Sequence, residues 1–517
     1  MGEDILIGID LGTTVLKVGA FGARSGRCVA EASRRLPVRM TLGGGRELDA
    51  GSLDTALDGA FSQLRRAVGG QWRRVSGVGV AAQGGSTMIV ERDTGRAVTP
   101  MYLWNDARAS GWVSRLAEEH DKAFWRRLFG FDMPPTGLGR IAWLRDQRPD
   151  LFSEQFLHVG AGEYVFRWLT GIWRQDAGNA IQVGSYNART RRLDGAALRL
   201  IGVPLDFVAP LRQGHETAQV DRDAAREFRL EEGIAVTGPY IDQEASYLSA
   251  ARAGSNPLQV SMGTAWVGNF TLPAGMRGGS PSQLVLPPLL ERSPFVIQPL
   301  YAGNSTWDWA LETFAGRPHA AGLKSAGAAF ARSILPHPGL VCIPYCVQQN
   351  PIRPDQYGGG VYLGVGTATS KSDFLRATAS GLVCELGRVF AGLAGSGAVD
   401  AVVLGGGASR GSYFRQLAGL AFGGLPVLWQ EDYNMSAARG SVFALSPRAA
   451  GAKFKQVEAP AELAEPFRRA FEIYQSAFAE VYGRNPDLRP YQCRRKAGTD
   501  TLFSNCRKSA SQLPEAS

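Results

Sequence analysis

The first part of the chain alternates short apolar segments with glycine turns. The segments "ILIGIDLG", "TVLKVGAFG" and "CVAEASRRL" are separated by turns at Gly12, Gly22 and Gly26. Short apolar runs that are rich in β-branched residues and bounded by glycine are typical of strands. The pattern therefore predicts a meander of antiparallel hairpins at the start of the chain.

The hydrophobic period then changes to that of a helix. Between Ser52 and Val68 apolar residues recur at helical spacing, namely Leu53, Leu57, Ala60, Phe61, Leu64 and Val68. Ser52 is a residue type that caps helices well, so we predict a helix over Ser52 to Val68 with Ser52 as its cap. The following segment "VSGVGVAAQG" predicts a buried strand.

The opening design recurs in the second half of the chain. "LQVSMGTAWVGNF", from Leu258 to Phe270, is again an apolar strand, a Gly-Thr turn and a second apolar strand. An amphipathic helix is predicted from about Ser372 to Leu393, and "AVVLGGGASRGSYFRQLAGLAFG" predicts a strand, a glycine turn and a helix. Two separated copies of one design predict two similar α/β domains that face each other.

Composition fits a folded protein with more than one domain. The 517 residues are 44% hydrophobic and 20% charged, which allows a large core. No apolar run approaches the length needed to cross a bilayer, and the chain begins with an acidic segment. The six cysteines lack a CxxC pair and the five histidines are isolated, so neither a disulfide framework nor a structural zinc site is expected. We expect a cytoplasmic protein with no membrane partner.

The net charge of +9 does not by itself predict nucleic-acid binding. Basic residues are scattered and are not interleaved with aromatic residues, which favours a solvated basic surface and no nucleic-acid partner. The segment 483–517 holds seven basic and three acidic residues, and beyond about Asn485 the hydrophobic period is lost. We expect a basic, flexible tail over 485–517.

The first glycine turn has the residue types of a phosphate site. Gly12, Thr13 and Thr14 can offer backbone N–H groups and hydroxyls to phosphate oxygens. Asp10 would repel phosphate but can hold Mg²⁺ through water beside it, and Lys17 can neutralise developing charge.

One such turn is a weak signal, because a hairpin also needs glycine for purely structural reasons. A second turn at 261–264 and a third at 405–409 strengthen the nucleotide interpretation. The sequence contains no GxxxxGK[ST] and no well-placed GxGxxG, so neither a P-loop enzyme nor a Rossmann dehydrogenase is supported.

Taken in order, the motifs resemble those of the FGGY carbohydrate kinases, in the superfamily of actin and the heat-shock chaperone ATPases. The similarity runs from about residue 5 to about residue 445. The matching segments are "GIDLGTT", "AAQGGSTMIVERDTGRAVTPMYLWNDAR", "GRIAWLRDQRPDLF", "GEYVFRWLTG", "DAGNA", "GPYIDQEASYLSAARAG", "SMGTA", "GGVYLGVGTATSKSDFLRAT" and "LGGGASRGSYFRQLAGLAFGGLPV".

The resemblance implies an α/β fold of two actin-like (ribonuclease H-like) domains with the active site in the cleft between them. It implies a sugar-binding domain over 1–243 and a nucleotide-binding domain over 244–484. The activity implied is transfer of the ATP γ-phosphate to a hydroxyl of a sugar or polyol, with ATP and Mg²⁺ as cofactors. Asp242 in "GPYIDQEA" matches the catalytic base. A structural alternative is that its carboxylate caps the helix that follows.

Further residues of the ATP site follow from the same matches. The first phosphate motif is matched by Asp10, Gly12, Thr13, Thr14 and Lys17, with Asp10 near the metal. The second motif and the elements that meet the phosphate and adenosine ends of the nucleotide are matched by Gly263, Thr264, Gly303, Gly406, Gly407 and Ala408. The glycines could equally serve packing between helices and strands.

On the sugar side the family uses the segment after the strand that ends at Gln83, and a W-x-D-x-R element. The matching residues are Gln83, Gly84, Trp104, Asp106 and Arg108. A carboxylate, a guanidinium and an indole suit a polyhydroxylated ligand. The alternative is that Trp104 belongs to the core and that Asp106 and Arg108 form a structural ion pair.

Several positions depart from the family pattern. Glycerol kinases carry Arg-Glu and xylulokinases usually Met-His after the glutamine, where this chain has Gly84-Gly85-Ser86. Ala265 and Ser380 replace a serine and an acidic residue, and "YCVQQNPIRPD" stands where a Gly-Glu-Arg-x-Pro element is common. The substrate assignment of neither group can be carried over.

We therefore expect an ATP- and Mg²⁺-dependent carbohydrate kinase that acts on a pentulose, in the manner of a xylulokinase. Polyols such as glycerol or erythritol are the alternative substrates. A non-catalytic sugar- or nucleotide-binding regulator with the same fold is the alternative from another class, and an actin-like ATPase would leave the W-x-D-x-R element unexplained. A homodimer is left open by the sequence.

Overall fold

The computed structural model describes residues 2–273, 276–277, 283–290, 293–300, 302–316, 319–347, 358–483 and 492–493. The first half of the chain is built on a six-stranded mixed sheet. Its strands are β1 (Ile5–Leu11), β2 (Val15–Gly22), β3 (Cys28–Arg35), β4 (Val75–Ala82), β5 (Thr217–Gln219) and β6 (Ala235–Ile241). The order is β5-β6-β4-β1-β2-β3, with β6, β4 and β1 parallel and the other neighbours antiparallel.

The second half repeats this topology in a seven-stranded sheet. Its strands are β7 (Pro257–Met262), β8 (Trp266–Thr271), β9 (Leu284–Leu286), β10 (Phe295–Pro299), β11 (Ala401–Gly405), β12 (Val427–Gln430) and β13 (Phe454–Gln456). The order is β9-β10-β8-β7-β11-β12-β13, with β7, β11 and β12 parallel. Strand β7 thus takes the place of β1, β8 of β2 and β11 of β4. The predicted pair of similar α/β units is confirmed.

Shorter strands form small accessory sheets. They are Arg39–Thr41 with Gly45–Leu48 and Met101–Tyr102, Met88–Glu91 with Phe156–Val159, Tyr186–Asn187 with Arg192–Leu193, Met276–Arg277 with Gln492–Cys493, and Val341–Ile343 with Val361–Leu363. The rest of the predicted flexible tail lies outside the described residues.

Helices cover the sheets and carry the accessory segments. In the first half they are α1 (Ala50–Val68), α2 (Ser110–Glu119), α3 (Lys122–Phe129), α4 (Thr136–Gln147), α5 (Ala161–Thr170), α6 (Ala177–Gln182), α7 (Ala196–Leu200), α8 (Arg222–Phe228) and α9 (Asp242–Ala250). In the second half they are α10 (Asn304–Ala310), α11 (His319–Arg332), α12 (Lys371–Gly395), α13 (Ser412–Ala421), α14 (Ser436–Gly440), α15 (Pro447–Ala450) and α16 (Ala464–Tyr482).

The predicted start of α1 was wrong. The helix begins at Ala50, and the side chain of Asp49 caps it by accepting a hydrogen bond from the Ser52 N–H at 2.9 Å. Ser52 lies inside the first turn, because the apolar period that located the helix begins only at Leu53. Helix α12 was predicted to begin at about Ser372 and begins one residue earlier, at Lys371. Ser370 and Asp373 form a capping box at this end.

Helix α12 also corrects the expectation that no segment is long and apolar enough to cross a bilayer. Its 25 residues, Lys371–Gly395, meet that test by length and composition. Because 83% of its most apolar window is buried, it has the surroundings of a core helix in a folded domain. Its apolar residues pack among the strands and helices of the second half.

The two halves of the chain are joined by two helices that cross between their sheets. Helix α9 directly follows β6, and α14 packs against both α9 and the first sheet. The backbones approach so closely that no Cβ would fit at Gly8, which faces the Ala438 carbonyl, or at Gly440, which faces the Ala245 carbonyl. Residues late in the chain therefore help to hold the first sheet in place.

Candidate active site

The candidate site begins where three neighbouring parallel strands end at one edge of the first sheet. Leu11, Ala82 and Ile241 are aligned in the strand register, and the Gln83 N–H donates to the Leu11 carbonyl at 2.9 Å. The predicted phosphate turn follows β1, Gln83 follows β4, and Asp242 follows β6. Carboxyl ends of parallel strands are where open α/β sheets bind ligands.

Asp242 is placed with one carboxylate oxygen available. The N-cap of α9 is Ile241 and Asp242 is the first helical residue. The structural alternative is therefore right only in part: Asp242 is not the N-cap residue, but its carboxylate does accept an N–H of the first turn. Its Oδ1 accepts the Gln243 N–H at 2.8 Å, whereas Oδ2 accepts no hydrogen bond from the described part of the chain. Burial, followed by the nearby charge of Asp10, raises the pKa of Asp242 to about 7. A carboxyl group with this pKa can exchange a proton near neutral pH.

Asp242 also lies where the two halves meet. The side chain of Gln243, the next residue, accepts a hydrogen bond at 2.9 Å from the amide of Asn269 on β8. The same Asn269 amide donates to Gln259 on β7 at 2.5 Å. A side chain of the second sheet is thereby hydrogen bonded to the residue next to Asp242.

The β1–β2 hairpin carries the first predicted phosphate residues. The Gly12 N–H donates to the Val15 carbonyl at 3.1 Å, which closes the turn, and Thr14 is exposed at its tip. Asp10 is 6% exposed, and its Oδ2 lies 3.3 Å from Nζ of Lys17 on the antiparallel neighbour strand. The hairpin thus presents a carboxylate and an ammonium group beside exposed backbone.

The second sheet brings the remaining predicted ATP residues together. Gly263 and Thr264 follow β7 and accept the backbone N–H groups of Asn304 and Ser305 at 3.0 and 3.2 Å. A Cβ on Gly303 would lie 2.5 Å from the Thr264 carbonyl oxygen. This junction is therefore assembled from backbone.

Gly406 follows the neighbouring parallel strand β11 at the same edge of the sheet. Its φ is +84°, and a Cβ there would lie 2.6 Å from the Met262 nitrogen. Gly407 and the buried Ala408 begin the short helical turn that leads to α13. Only glycine fits position 406, for reasons of both conformation and space.

Thr13 links the phosphate hairpin to the sugar-side residues. Its hydroxyl donates to Oε1 of Gln83 at 3.0 Å and accepts the indole N–H of Trp104 at 3.1 Å. Trp104 is 48% exposed, so the alternative that it belongs to the core was wrong. An exposed indole held at its nitrogen leaves its ring face free for a ligand.

Asp106 and Arg108 are engaged with each other, as the structural alternative anticipated. Asp106 accepts the Arg46 N–H at 2.8 Å and the Arg108 N–H at 3.0 Å, and Nη2 of Arg108 lies 2.5 Å from Asp106 Oδ2 and 3.1 Å from Glu47. Burial opposes the charged form, but the hydrogen bonds from Arg108 and Arg46 lower the pKa of Asp106. In this conformation the pair holds the Trp104 loop in place.

Two residues that the sequence analysis did not single out support the same loops. Arg140 is 1% exposed and donates to the Gly85 carbonyl and, at 3.0 Å, to the Trp104 carbonyl. Asn179 accepts the Gly85 N–H at 2.9 Å and donates to Glu163 at 2.5 Å. Burial, with the charge of Asp176, raises the pKa of Glu163 to about 8. The motifs that contain Arg140 and Asn179 were visible in the sequence. Their contacts with Gly85, which lies 55 and 94 positions away, were not.

Comparison with known proteins assigns the family. Residues 5–249 match the model of the FGGY family of carbohydrate kinases, N-terminal domain. The chain is 22% identical over 447 residues to the gluconokinase of Bacillus subtilis (strain 168). These residues cover 83% of this chain and 85% of the relative. The chain is 26% identical over 446 residues to the glycerol kinase of Thermus brockianus, spanning 82% of this chain and 86% of the relative.

This chain belongs to the FGGY family of carbohydrate kinases. Its fold is similar to that of the xylulose kinase from Rhodospirillum rubrum, with a TM-score of 0.80 over 93% of this chain and 99% of that chain at 19% identity. The predicted two-domain actin-like α/β fold is therefore confirmed. The predicted enzyme class, a phosphotransferase with an alcohol group as acceptor, is confirmed as well.

The relatives differ in substrate, since their names refer to gluconate, glycerol and xylulose. The shared activity of an FGGY kinase is phosphorylation of a sugar or polyol with ATP as phosphate donor. The identity of the sugar, the roles of the individual residues and the limits of the two domains remain predictions.

Proposed function

We propose that this kinase transfers the γ-phosphate of ATP to a hydroxyl of a pentulose or related polyol, with Asp242 as catalytic base. The observation that carries the proposal is the convergence of the hairpin after β1, the amide of Gln83 after β4 and the carboxylate of Asp242 after β6 at one edge of the sheet. This convergence supports a phosphoryl-transfer site at that edge.

In the proposed reaction Asp242 accepts the proton of the substrate hydroxyl as its oxygen attacks the γ-phosphorus. The bond between that phosphorus and the bridging oxygen breaks, and ADP leaves with the electron pair. Oδ2 of Asp242 is available for the proton, and the raised pKa makes its transfer favourable near pH 7. Backbone N–H groups around Gly12, Gly263 and Gly406 hold the phosphates, and positioning supplies much of the rate enhancement.

The residues fit a divalent cation that binds together with the nucleotide. The carboxylates of Asp10 and Asp242 are close enough for the charge of Asp10 to raise the pKa of Asp242. No group of three or more metal-binding side chains occurs among the described residues. Mg²⁺ commonly uses one or two carboxylates plus substrate phosphates, so Asp10 would hold it through water. When bound, the ion would neutralise charge on the phosphates.

Sugar-stimulated ADP release tests this proposal. Purified protein is incubated with ATP, Mg²⁺ and single pentuloses, hexuloses, aldonates or polyols, and the phosphorylated product is identified by mass spectrometry. We expect one pentulose or polyol to stimulate ADP release many-fold over the rate with ATP alone. Equal release with and without every sugar would indicate an ATPase, and ATP binding without turnover would indicate a regulator. A cytoplasmic location is part of the proposal.

A further inference from the structure

The Gly84–Gly85 loop has lost its side-chain space to another residue. A Cβ built on Gly84 would lie 2.5 Å from Nε2 of Gln182, and one built on Gly85 would lie 2.5 Å from its Oε1. Gly85 also has a φ of +75°. Gln182, the last residue of α6, therefore puts an amide group where side chains of this loop would otherwise stand.

The Gln182 amide has unused hydrogen-bonding capacity. Its Nε2 donates to the Gly178 carbonyl at 3.1 Å, which fixes the side chain. Within the residues that the structure describes, Oε1 accepts no hydrogen bond, and the side chain is partly exposed. A glutamine has one acceptor and two donors, so one acceptor and one N–H are left for a ligand.

A second amide flanks the same loop. Gln83 is 4% exposed, and while its Oε1 accepts from Thr13, its Nε2 is buried without a partner in the described part of the chain. Buried donors normally have partners, so this one marks a place for an acceptor. Ile241, which precedes Asp242, also occupies the space beside Gly84, so Gln182 lies near the end of the strand that leads into Asp242.

Three cations of the described part of the site are engaged with protein groups. Lys17 pairs with Asp10, Arg108 pairs with Asp106 and Glu47, and the buried Arg140 donates to two backbone carbonyls. Asp10 and Asp242 add negative charge at the same edge of the sheet. Beside Gln83 and Gln182, a carboxylate on the substrate would therefore meet amide groups and the repulsive carboxylates of Asp10 and Asp242.

We propose that Gln182 determines the substrate class of this kinase. Its amide, together with that of Gln83, hydrogen bonds the hydroxyls of an uncharged ketose or polyol, and the site discriminates against sugar acids. This inference rests on the proposed kinase function and adds a residue and a charge class to it.

The test compares Gln182→Met, which keeps the length of the side chain and removes the amide, with Gln219→Ala on the exposed edge strand β5. ADP release is measured with D-xylulose, D-ribulose, erythritol, glycerol and D-gluconate as probes. We expect wild type to use a neutral probe and not D-gluconate. In Gln182→Met the KM for that probe should rise about 10-fold, as for the loss of one to two hydrogen bonds of ~1 kcal/mol each.

The KM for ATP and the melting temperature of Gln182→Met should stay at the wild-type values, which separates substrate contact from a folding defect. Gln219→Ala should match wild type in every respect. An unchanged sugar KM in Gln182→Met would show that Gln182 only fills space and would overturn the assignment. A preference for D-gluconate would show that the substrate is a sugar acid. It would overturn the proposed uncharged substrate class but would not contradict the kinase function. No sugar-dependent ADP release with any probe would overturn both.

Discussion

The hydroxyl of Thr13 lies 3.0 Å from Oε1 of Gln83 and 3.1 Å from the indole nitrogen of Trp104. Thr13 belongs to the hairpin proposed to hold phosphate, whereas Gln83 and Trp104 belong to loops proposed to hold sugar. One hydroxyl thus connects the two proposed substrate sites, so we expect a change in one of them to affect the other.

Replacement of Thr13 by valine tests this connection. Valine keeps the shape but removes the hydroxyl, so Gln83 and Trp104 each lose a partner at a cost of about 1 kcal/mol per hydrogen bond. We expect the KM values for sugar and for ATP both to rise about 5- to 10-fold. Steady-state kinetics with each substrate varied in turn provides the measurement. Thr55→Val on the exposed face of α1 is the control, and a rise in only one KM would contradict a shared role.

The raised pKa of Asp242 predicts the pH dependence of turnover. The group must be deprotonated to act as base, and its pKa of about 7 lies above the ordinary range of an aspartate. Activity should therefore be low in acid, rise as the pH passes through about 7 and level off above it. At pH 6 the rate should be roughly a tenth of the plateau. A pH–rate profile of kcat/KM checks this, and a flat profile between pH 5 and 8 would argue against Asp242 as base.

Gly406 should be intolerant of even one added methyl group. Alanine there would adopt a φ of +84° and place its Cβ 2.6 Å from the Met262 nitrogen. We expect Gly406→Ala to raise the KM for ATP at least 10-fold and to lower the melting temperature. Gly397→Ala is a matched control, because its φ is +69° but nothing lies within 4 Å of its Cβ. Equal effects of the two variants would contradict a role for the close contact with Met262. The positive φ alone, at about 1 kcal/mol, would then explain both losses.

Glu385 stabilises the core of the second half through a buried network. It accepts hydrogen bonds from Arg388 at 2.7 and 2.8 Å, from Tyr345 at 2.7 Å and from Tyr474 at 2.9 Å. Glu385→Ala would remove the carboxylate that pairs with the buried Arg388, so we expect a loss of about 3–5 kcal/mol in the free energy of unfolding. Urea denaturation measures it.

Tyr474→Phe is the milder comparison in the same network. It removes one hydrogen bond and leaves the Glu385–Arg388 ion pair intact, so the expected loss is about 1 kcal/mol. Losses of similar size in the two variants would contradict a stabilising ion pair.

Local patterns predicted the strands and their glycine turns well. The Gly-Thr turns at Gly12 and Gly263 follow from apolar runs interrupted by small residues, and the repeated design predicted two sheets that proved to share one topology. The apolar residues of helix α12 were enough to locate it in the sequence. That most of the helix is buried was visible only in the structure. These features depend on neighbours in the sequence.

The site contacts that the sequence could not predict depend on distant pairs. Nothing near Gly85 in the sequence indicates that Arg140 and Asn179 hold its backbone or that Gln182 fills its side-chain space. Asp106 and Arg108 matched a sugar-binding pattern, yet Glu47 and the Arg46 N–H take part of their bonding capacity. Pattern reading identifies the residue types, and the fold decides what each side chain has left to offer.

The most direct test of the central claim is ADP release by Asp242→Asn in the presence of the sugar that stimulates wild type. Asparagine keeps the shape of the side chain and cannot accept the proton, so we predict a loss of at least about 1,000-fold in kcat with sugar and ATP still bound. Asp223→Asn, which changes a carboxylate that is 90% exposed, is the control and should match wild type. Sugar-stimulated turnover within 10-fold of wild type in Asp242→Asn would contradict the account.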